Sequence, residues 1–229
     1  MGMIVVLVYT TETCLPAVKE PVVLYPLNPA YGTKDMMGNQ PDGIPSNAQL
    51  ADGPDGKREG SYQFLGTPDS SITVPNLGGL DVQYSLTVLM WVYPQGQDGP
   101  LFNYRPSGGW EVHIWLVEGK FFARMIKRDR SGSFVECLKS PTPLIMEQWA
   151  YVATSYDYNT GITRMWVDGI EVGQLDIGVR SLATHYDVKI GAKSDDSRYF
   201  KGRVYRVQVY DLALTLEQVL ALQYRRKSS

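Results

Sequence analysis

Short apolar runs alternate with glycine, proline and asparagine along most of the chain. Leu86 to Tyr93 reads Leu-Thr-Val-Leu-Met-Trp-Val-Tyr, apolar at odd and even positions alike. A strand buried on both faces has this pattern, and Pro94 is expected to end it. Trp149 to Asp157 reads as a second strong strand. Two hairpins are legible. Trp110–Val117 and Lys120–Arg128 flank Glu118-Gly119, and Thr163–Asp168 and Ile170–Asp176 meet at Asp168-Gly169. In each the glycine supplies the left-handed backbone that a tight turn requires. Further strands are expected at Val22–Leu27, Ser61–Leu65, Ser71–Val74, Pro100–Tyr104, Phe134–Lys139, Val188–Gly191 and Lys201–Tyr210.

Residues 28–60 break this rhythm. They carry Tyr31-Gly32, Gly38-Asn39, Asp42-Gly43, Asp52-Gly53 and Asp55-Gly56, all turn formers. The stretch predicts loops around one or two short strands, and a long loop in a compact domain is often functional. One helix is expected near 215–223. Thr215 and Gln218 have the spacing of a capping box, and Leu216, Val219, Leu220 and Leu222 form one apolar face. The helix is expected to cover an edge or end of the fold. Closely spaced strands with almost no helix between them predict an all-β antiparallel sandwich or jelly roll. Residues 1–20 read as a leader or linker, 21–224 as one domain and 225–229 as a basic tail.

Composition narrows the partners. With 22 basic against 24 acidic residues the chain has no broad basic field to neutralise phosphates, so nucleic acid is not expected as a partner. The apolar run Met3–Val8 is short for a complete signal peptide, and no stretch approaches the about 20 apolar residues of a membrane span, so membrane insertion is not expected. The two cysteines, Cys14 and Cys137, are too few for a disulfide scaffold or a thiolate zinc site. They form one bridge if the chain is exported, or remain separate thiols.

Four stretches carry a resemblance: Ser85–Pro94, Glu147–Asp157, Arg164–Val172 and Tyr199–Val219. In order and spacing the chain, over roughly residues 22–222, resembles the laminin-G-like jelly-roll domains of the concanavalin A-like lectin and glucanase superfamily. Leu24–Asn28 and Tyr31–Asp35 fit the same pattern. The resemblance implies two stacked antiparallel sheets with Trp91, Trp149 and Trp166 in the interior. It also implies an extracellular or secreted setting in adhesion, matrix or carbohydrate binding. Function within such a fold has to be argued from the site.

Glucanase relatives place paired carboxylates on one strand, at positions i and i+2 or i+4, so that both face one glycosidic bond. No such pair occurs here. Glu111 is alone on its strand, and Asp195 and Asp196 are adjacent loop acids. Histidine is limited to His113 and His185, without a zinc-protease or nucleophile-elbow motif. The chain is therefore expected not to be an enzyme. For calcium, the resemblance implies a site between the first loop and the last strand. Asp35 holds the matching loop position, but Tyr205 and Arg206 stand where a last-strand acid would be. The alternative is that these loop acids serve turn geometry only, and no other cofactor is expected.

Strand alternation sets Glu111, His113 and Trp115 on one face, opposite Trp110, Val112, Ile114 and Leu116, which read as core. Arg124 or its neighbours on the partner strand can join that face, and the loop Asp195, Asp196, Arg198 and Tyr199 supplies acids, a guanidinium and a phenol. These eight residues are the expected ligand region, the alternative being a half-buried sheet face. Two functions remain open: an extracellular module binding a glycan or an extracellular protein without catalysis, and a structural matrix or adhesion unit with no small ligand. A glycoside hydrolase is the more distant third.

Overall fold

The computed structural model describes residues 16–104, 107–131 and 136–225. Among the described residues fifteen strands form two antiparallel sheets, followed by one α-helix. In chain order the strands are β1 Val23–Tyr25, β2 Ile44–Ser46, β3 Gln49–Ala51, β4 Ser61–Leu65, β5 Ser71–Val74, β6 Leu86–Gln97, β7 Gly99–Tyr104 and β8 His113–Val117. They continue with β9 Lys120–Arg124, β10 Leu138–Lys139, β11 Ala150–Asp157, β12 Ile162–Val167, β13 Ile170–Asp176, β14 Val188–Ile190 and β15 Lys201–Tyr210, before the helix α1, Leu216–Arg225. One sheet runs β13-β12-β11-β6-β15-β4-β3, with β1 also paired to β15, and the other runs β10-β9-β8-β7-β14-β5-β2. The long 28–60 stretch contains two short strands, as its turn residues predict.

The main core lies between the sheets. Val88, Met90 and Val92 of β6 and Val204, Val207 and Val209 of β15 face Ile114, Leu116, Phe121 and Ala123 of the β8–β9 hairpin. The other face of β6 is apolar for a second reason. Leu89 and Trp91 join Tyr151, Ala153, Trp166 and Tyr210 in a separate cluster closed by Leu214, Val219 and Leu222. Thus α1 covers the outward face of the eight-stranded sheet, not an edge or end. Trp91 and Trp166 fill the space beneath that helix, with Trp149 packed against the same cluster, instead of sitting between the sheets. The predicted capping box is present: Gln218 N–H donates to Thr215 Oγ1 at 3.4 Å and Thr215 N–H to Gln218 Oε1 at 3.0 Å.

Two boundaries differ from expectation for local reasons. β6 continues past Pro94 to Gln97 because Pro94 faces Gly202 at a bulge, where the ladder does not demand its missing N–H. Gly202 itself is required there: a Cβ would lie 2.3 Å from the Tyr93 carbonyl oxygen. β8 begins at His113, three residues later than its apolar run suggests, after Gly108 and Gly109 with φ of 76° and 123°. Of the expected 134–139 strand, Leu138–Lys139 pairs with β9. Cys137 is half-buried; the bridge weighed for Cys14 falls outside the described residues.

Candidate functional site

The β8–β9 hairpin closes on Glu118-Gly119, with φ of 55° and 68°. Asp98 staples the turn: its carboxylate accepts the Glu118 N–H, and the Gly119 N–H at 2.8 Å. Counting outward from this turn, Trp115 pairs with Phe122 and His113 with Arg124. Because alternate side chains share a face, these four lie on the outward face of the seven-stranded sheet. With Trp110, Val117 and Arg198 they line a cleft of about 190 Å³.

Aromatic rings form its floor. Trp110 stands 4.9 Å from His113 and 5.4 Å from Trp115, and His113 stacks on Phe122 at 5.6 Å. Trp115 is only 1 % exposed, and its indole N–H donates to Asn103 Oδ1 at 2.9 Å. Trp110 was expected to face the core. It turns instead to the outer face: Val112 still packs in the core with Ile114 and Leu116, but Trp110 and Glu111 precede the ladder and do not follow its alternation.

Cations pack on these rings, Arg124 and Arg198 at the cleft itself and Lys193 buried outside its lining. The Arg198 guanidinium lies 4.6 Å from the Trp115 ring centre, Arg124 lies 5.2 Å from Phe122, and the Lys193 ammonium 4.8 Å from Trp110. Such contacts favour cations over ring faces. Lys193 is 1 % exposed and its ammonium pairs with Asp195. Arg198 binds Asp196 through two hydrogen bonds, at 2.9 and 2.7 Å. The hydrogen bond from Lys193 holds the Asp195 carboxyl below its usual range, and the one from Arg198 does the same for Asp196. Both acids stay ionised and hold these two cations in place.

Glu111 does not join the cleft. Its buried carboxylate accepts two hydrogen bonds from Arg130, at 3.0 and 2.6 Å. Its carbonyl instead fixes His113, whose Nδ1–H donates to it at 2.7 Å, leaving the lone pair on Nε2. Tyr199 is half-buried beside the loop and is not among the residues lining the cleft. The sequence reading missed Lys193 and Phe122. Asp35 lies away from this cleft. Its carboxylate accepts N–H groups from Leu24, Met37, Asn39 and Gln40 at 2.8–3.1 Å. Among the described residues no three His, Cys, Asp or Glu side chains converge as metal ligands.

His113 is 3 % exposed, and burial pushes its pKa down from 6.5 to about 3, with the Arg124, Arg198 and Lys193 charges acting in the same direction against the Glu111 carbonyl. The unfolded chain therefore takes up a proton below pH 6.5 that the folded chain refuses until about pH 3. Stabilisation is complete above the upper value and is lost as pH falls toward the lower. Between about pH 6.5 and 5 the loss from this residue is about 2 kcal/mol. Urea unfolding at about pH 7 and 5 should show it, and His113→Asn should flatten that slope; an equal slope in the variant would refute the assignment.

Two stacked antiparallel sheets in a jelly roll are the architecture of a concanavalin A-like β-sandwich. The laminin G model of the concanavalin A-like lectin/glucanases superfamily matches residues 65–220, and the chain belongs to that family. No curated protein matches it by sequence. Among solved structures it is similar to domain 4 of AbnA, an extracellular arabinanase from Geobacillus stearothermophilus solved with arabinotriose. That match has a TM-score of 0.66 at 20 % identity and covers 89 % of this chain and 98 % of that domain. The binding domain of Paraclostridial Mosquitocidal Protein 1 gives 0.68 at 16 % identity, covering 90 % of this chain and 52 % of that one. The botulinum neurotoxin serotype G binding domain gives 0.69 at 11 %, covering 91 % and 52 %. The chain thus spans about half the length of the two toxin domains. At these identities the likeness is one of fold. Among the described residues no helix is long and apolar enough to cross a membrane.

Proposed function

We propose that the protein is an extracellular glycan-binding module that acts without catalysis. The cleft over Trp110, His113, Phe122, Arg124 and Arg198 carries this reading. A sugar needs an apolar surface for its C–H face and directional polar groups for its hydroxyls. Trp110, half-buried at the mouth, offers the ring; the two guanidinium groups donate, and His113 Nε2 accepts. Trp115 lies too deep to stack on a ligand and instead supports the others. An extracellular arabinanase domain of the same fold, solved with arabinotriose, supports the compartment and the ligand class.

The acids support the non-catalytic part. Glycoside cleavage needs one carboxyl kept protonated and a second facing the same bond. Asp195 and Asp196 are pushed toward ionisation, Glu111 is enclosed with Arg130, and none of the residues lining the cleft is acidic.

A glycan array including arabino-oligosaccharides, followed by calorimetry, tests the proposal. Each polar or stacking contact contributes about 1 kcal/mol, so binding should be weak and strengthened by multivalent display. Trp110→Ala and Arg124→Ala should each weaken it at least about fivefold. A glycan bound equally by both variants, or no glycan bound at all, would refute this site. A second reading has its own observation: exposed Ile145 and Ile170 line one groove of about 260 Å³, a surface suited to packing against another protein. Ile145→Glu would disrupt that contact and leave glycan binding intact.

A further inference from the structure

A larger cavity, of about 500 Å³, opens between the 28–60 loop and β15. Its volume falls in the range of small-ligand pockets. Tyr31, Met36, Lys57, Tyr205 and Arg206 are among its lining residues, and none of the described residues lining it is acidic. It shares no lining residue with the aromatic cleft.

β15 is deformed where it meets this cavity. Its register with β6 runs from Tyr205 opposite Trp91 directly to Gln208 opposite Leu89, so two residues, Arg206 and Val207, face the single Met90. Arg206 has φ of 52°, a left-handed conformation that costs a non-glycine residue about 1 kcal/mol or more. Its N–H leaves the ladder and donates to the Pro26 carbonyl at 3.1 Å. Bulges of this kind re-aim a side chain. Here the re-aimed side chain is a guanidinium that borders the cavity with its Nε buried and without a hydrogen-bond partner. A buried donor left unsatisfied is costly, and a guanidinium cannot shed its charge to relieve that cost. Strain and an orphaned charged donor at one position are what a preformed site for an absent acceptor has before that acceptor arrives.

The geometry points to an oxyanion site in this cavity: a carboxylate or sulfate group held by Arg206, with Lys57 adding a second positive charge. The fork of the guanidinium matches two oxygens of either group. Asn28 adds a donor, because its carboxamide oxygen already accepts the Ala30 and Tyr31 N–H groups at 3.1 Å and its NH2 remains to donate. Tyr31 and Met36, both exposed at the mouth, would contact the body carrying the anion. The site is independent of the glycan cleft and stands whether or not that cleft binds sugar.

The test titrates the full chain with sodium sulfate, glucuronate and neutral glucose at constant ionic strength made up with chloride, following melting temperature and calorimetric heat. The wild type should show saturable stabilisation by sulfate, glucuronate or both, and none by glucose. A response to inorganic sulfate identifies a free oxyanion as sufficient; a response to glucuronate alone identifies a sugar-borne carboxylate. Arg206→Gln should fold with an unchanged or higher melting temperature, since it removes a buried donor that lacks a partner, and should bind at least about tenfold more weakly, as expected for one lost charge-assisted contact. Lys57→Gln should weaken binding severalfold. Sulfate also stabilises proteins generally by exclusion from their surface, so the difference between wild type and Arg206→Gln is the readout. Equal responses in the two, or no saturable response in the wild type, would overturn the proposal.

Discussion

Replacing Asp35 with alanine is expected to destabilise the protein by about 3–5 kcal/mol and to loosen residues 22–43 as a unit. The carboxylate is buried and accepts four backbone N–H groups: Leu24 and Met37 at Oδ1, Asn39 and Gln40 at Oδ2. Leu24 belongs to β1, and the other three belong to the loop, so one side chain ties the loop to the sheet. Each hydrogen bond to a charged acceptor contributes about 1.5–3 kcal/mol, and the freed donors at Leu24 and Gln40 are buried. Asp35→Asn should rescue little, because its NH2 would confront two N–H donors in place of an acceptor. Hydrogen exchange at Met37, Asn39 and Gln40 should rise in both variants. A chelator should leave the melting temperature unchanged, because both oxygens are engaged by the backbone. If a chelator reproduced the Asp35→Ala loss, a bound cation would explain the residue better.

That role shows where sequence reasoning stops. The turn residues of 28–60 announce loops, but nothing local says that one aspartate collects four amides from residues 24 to 40. By contrast, β6 was legible because burial on both faces leaves no polar alternation, and the reason for the second face, the helix above it, lies in the same chain at Val219 and Leu222. The capping box at Thr215 and Gln218 was legible because its partners are three residues apart. So was the register of β8 and β9, since a two-residue turn fixes every pair outward from it, Trp115 with Phe122 included.

The cleft was legible only in part. His113, Trp115, Arg124 and Arg198 converge, and Asp195 and Asp196 support them from the loop. Trp110 joins the cleft and Glu111 leaves it for Arg130 because alternation was extended back through residues that precede the ladder; Gly108-Gly109 is the signal that the strand has not yet begun. Lys193 reaches Trp110 through the pairing of β14 with β7, a contact between distant segments that no spacing reveals. The strain at Arg206 is invisible for the same reason: a bulge depends on the partner strand, not on the residues that form it.

Trp115→Ala should be the most damaging single change in the cleft, at about 3–5 kcal/mol, or roughly 10 °C in melting temperature for a chain of this size. The ring is 1 % exposed and is covered by Arg198 at 4.6 Å and Trp110 at 5.4 Å. Truncation leaves a cavity beneath both and removes the donor to Asn103 Oδ1. Trp115→Phe keeps most of the volume and loses the indole N–H, so its cost should be nearer 1–2 kcal/mol, about that of one buried hydrogen bond and a small void. Trp110→Ala should cost less than Trp115→Ala, since Trp110 is only half-buried. Glycan affinity should follow the opposite order per unit of stability lost: Trp110→Ala weakens binding with a modest melting change, whereas Trp115→Ala weakens it only as far as the cleft collapses. Were Trp115→Ala to abolish binding while leaving the melting temperature untouched, the buried ring would be the ligand's own platform, and the division of labour between the two tryptophans would have to be reversed.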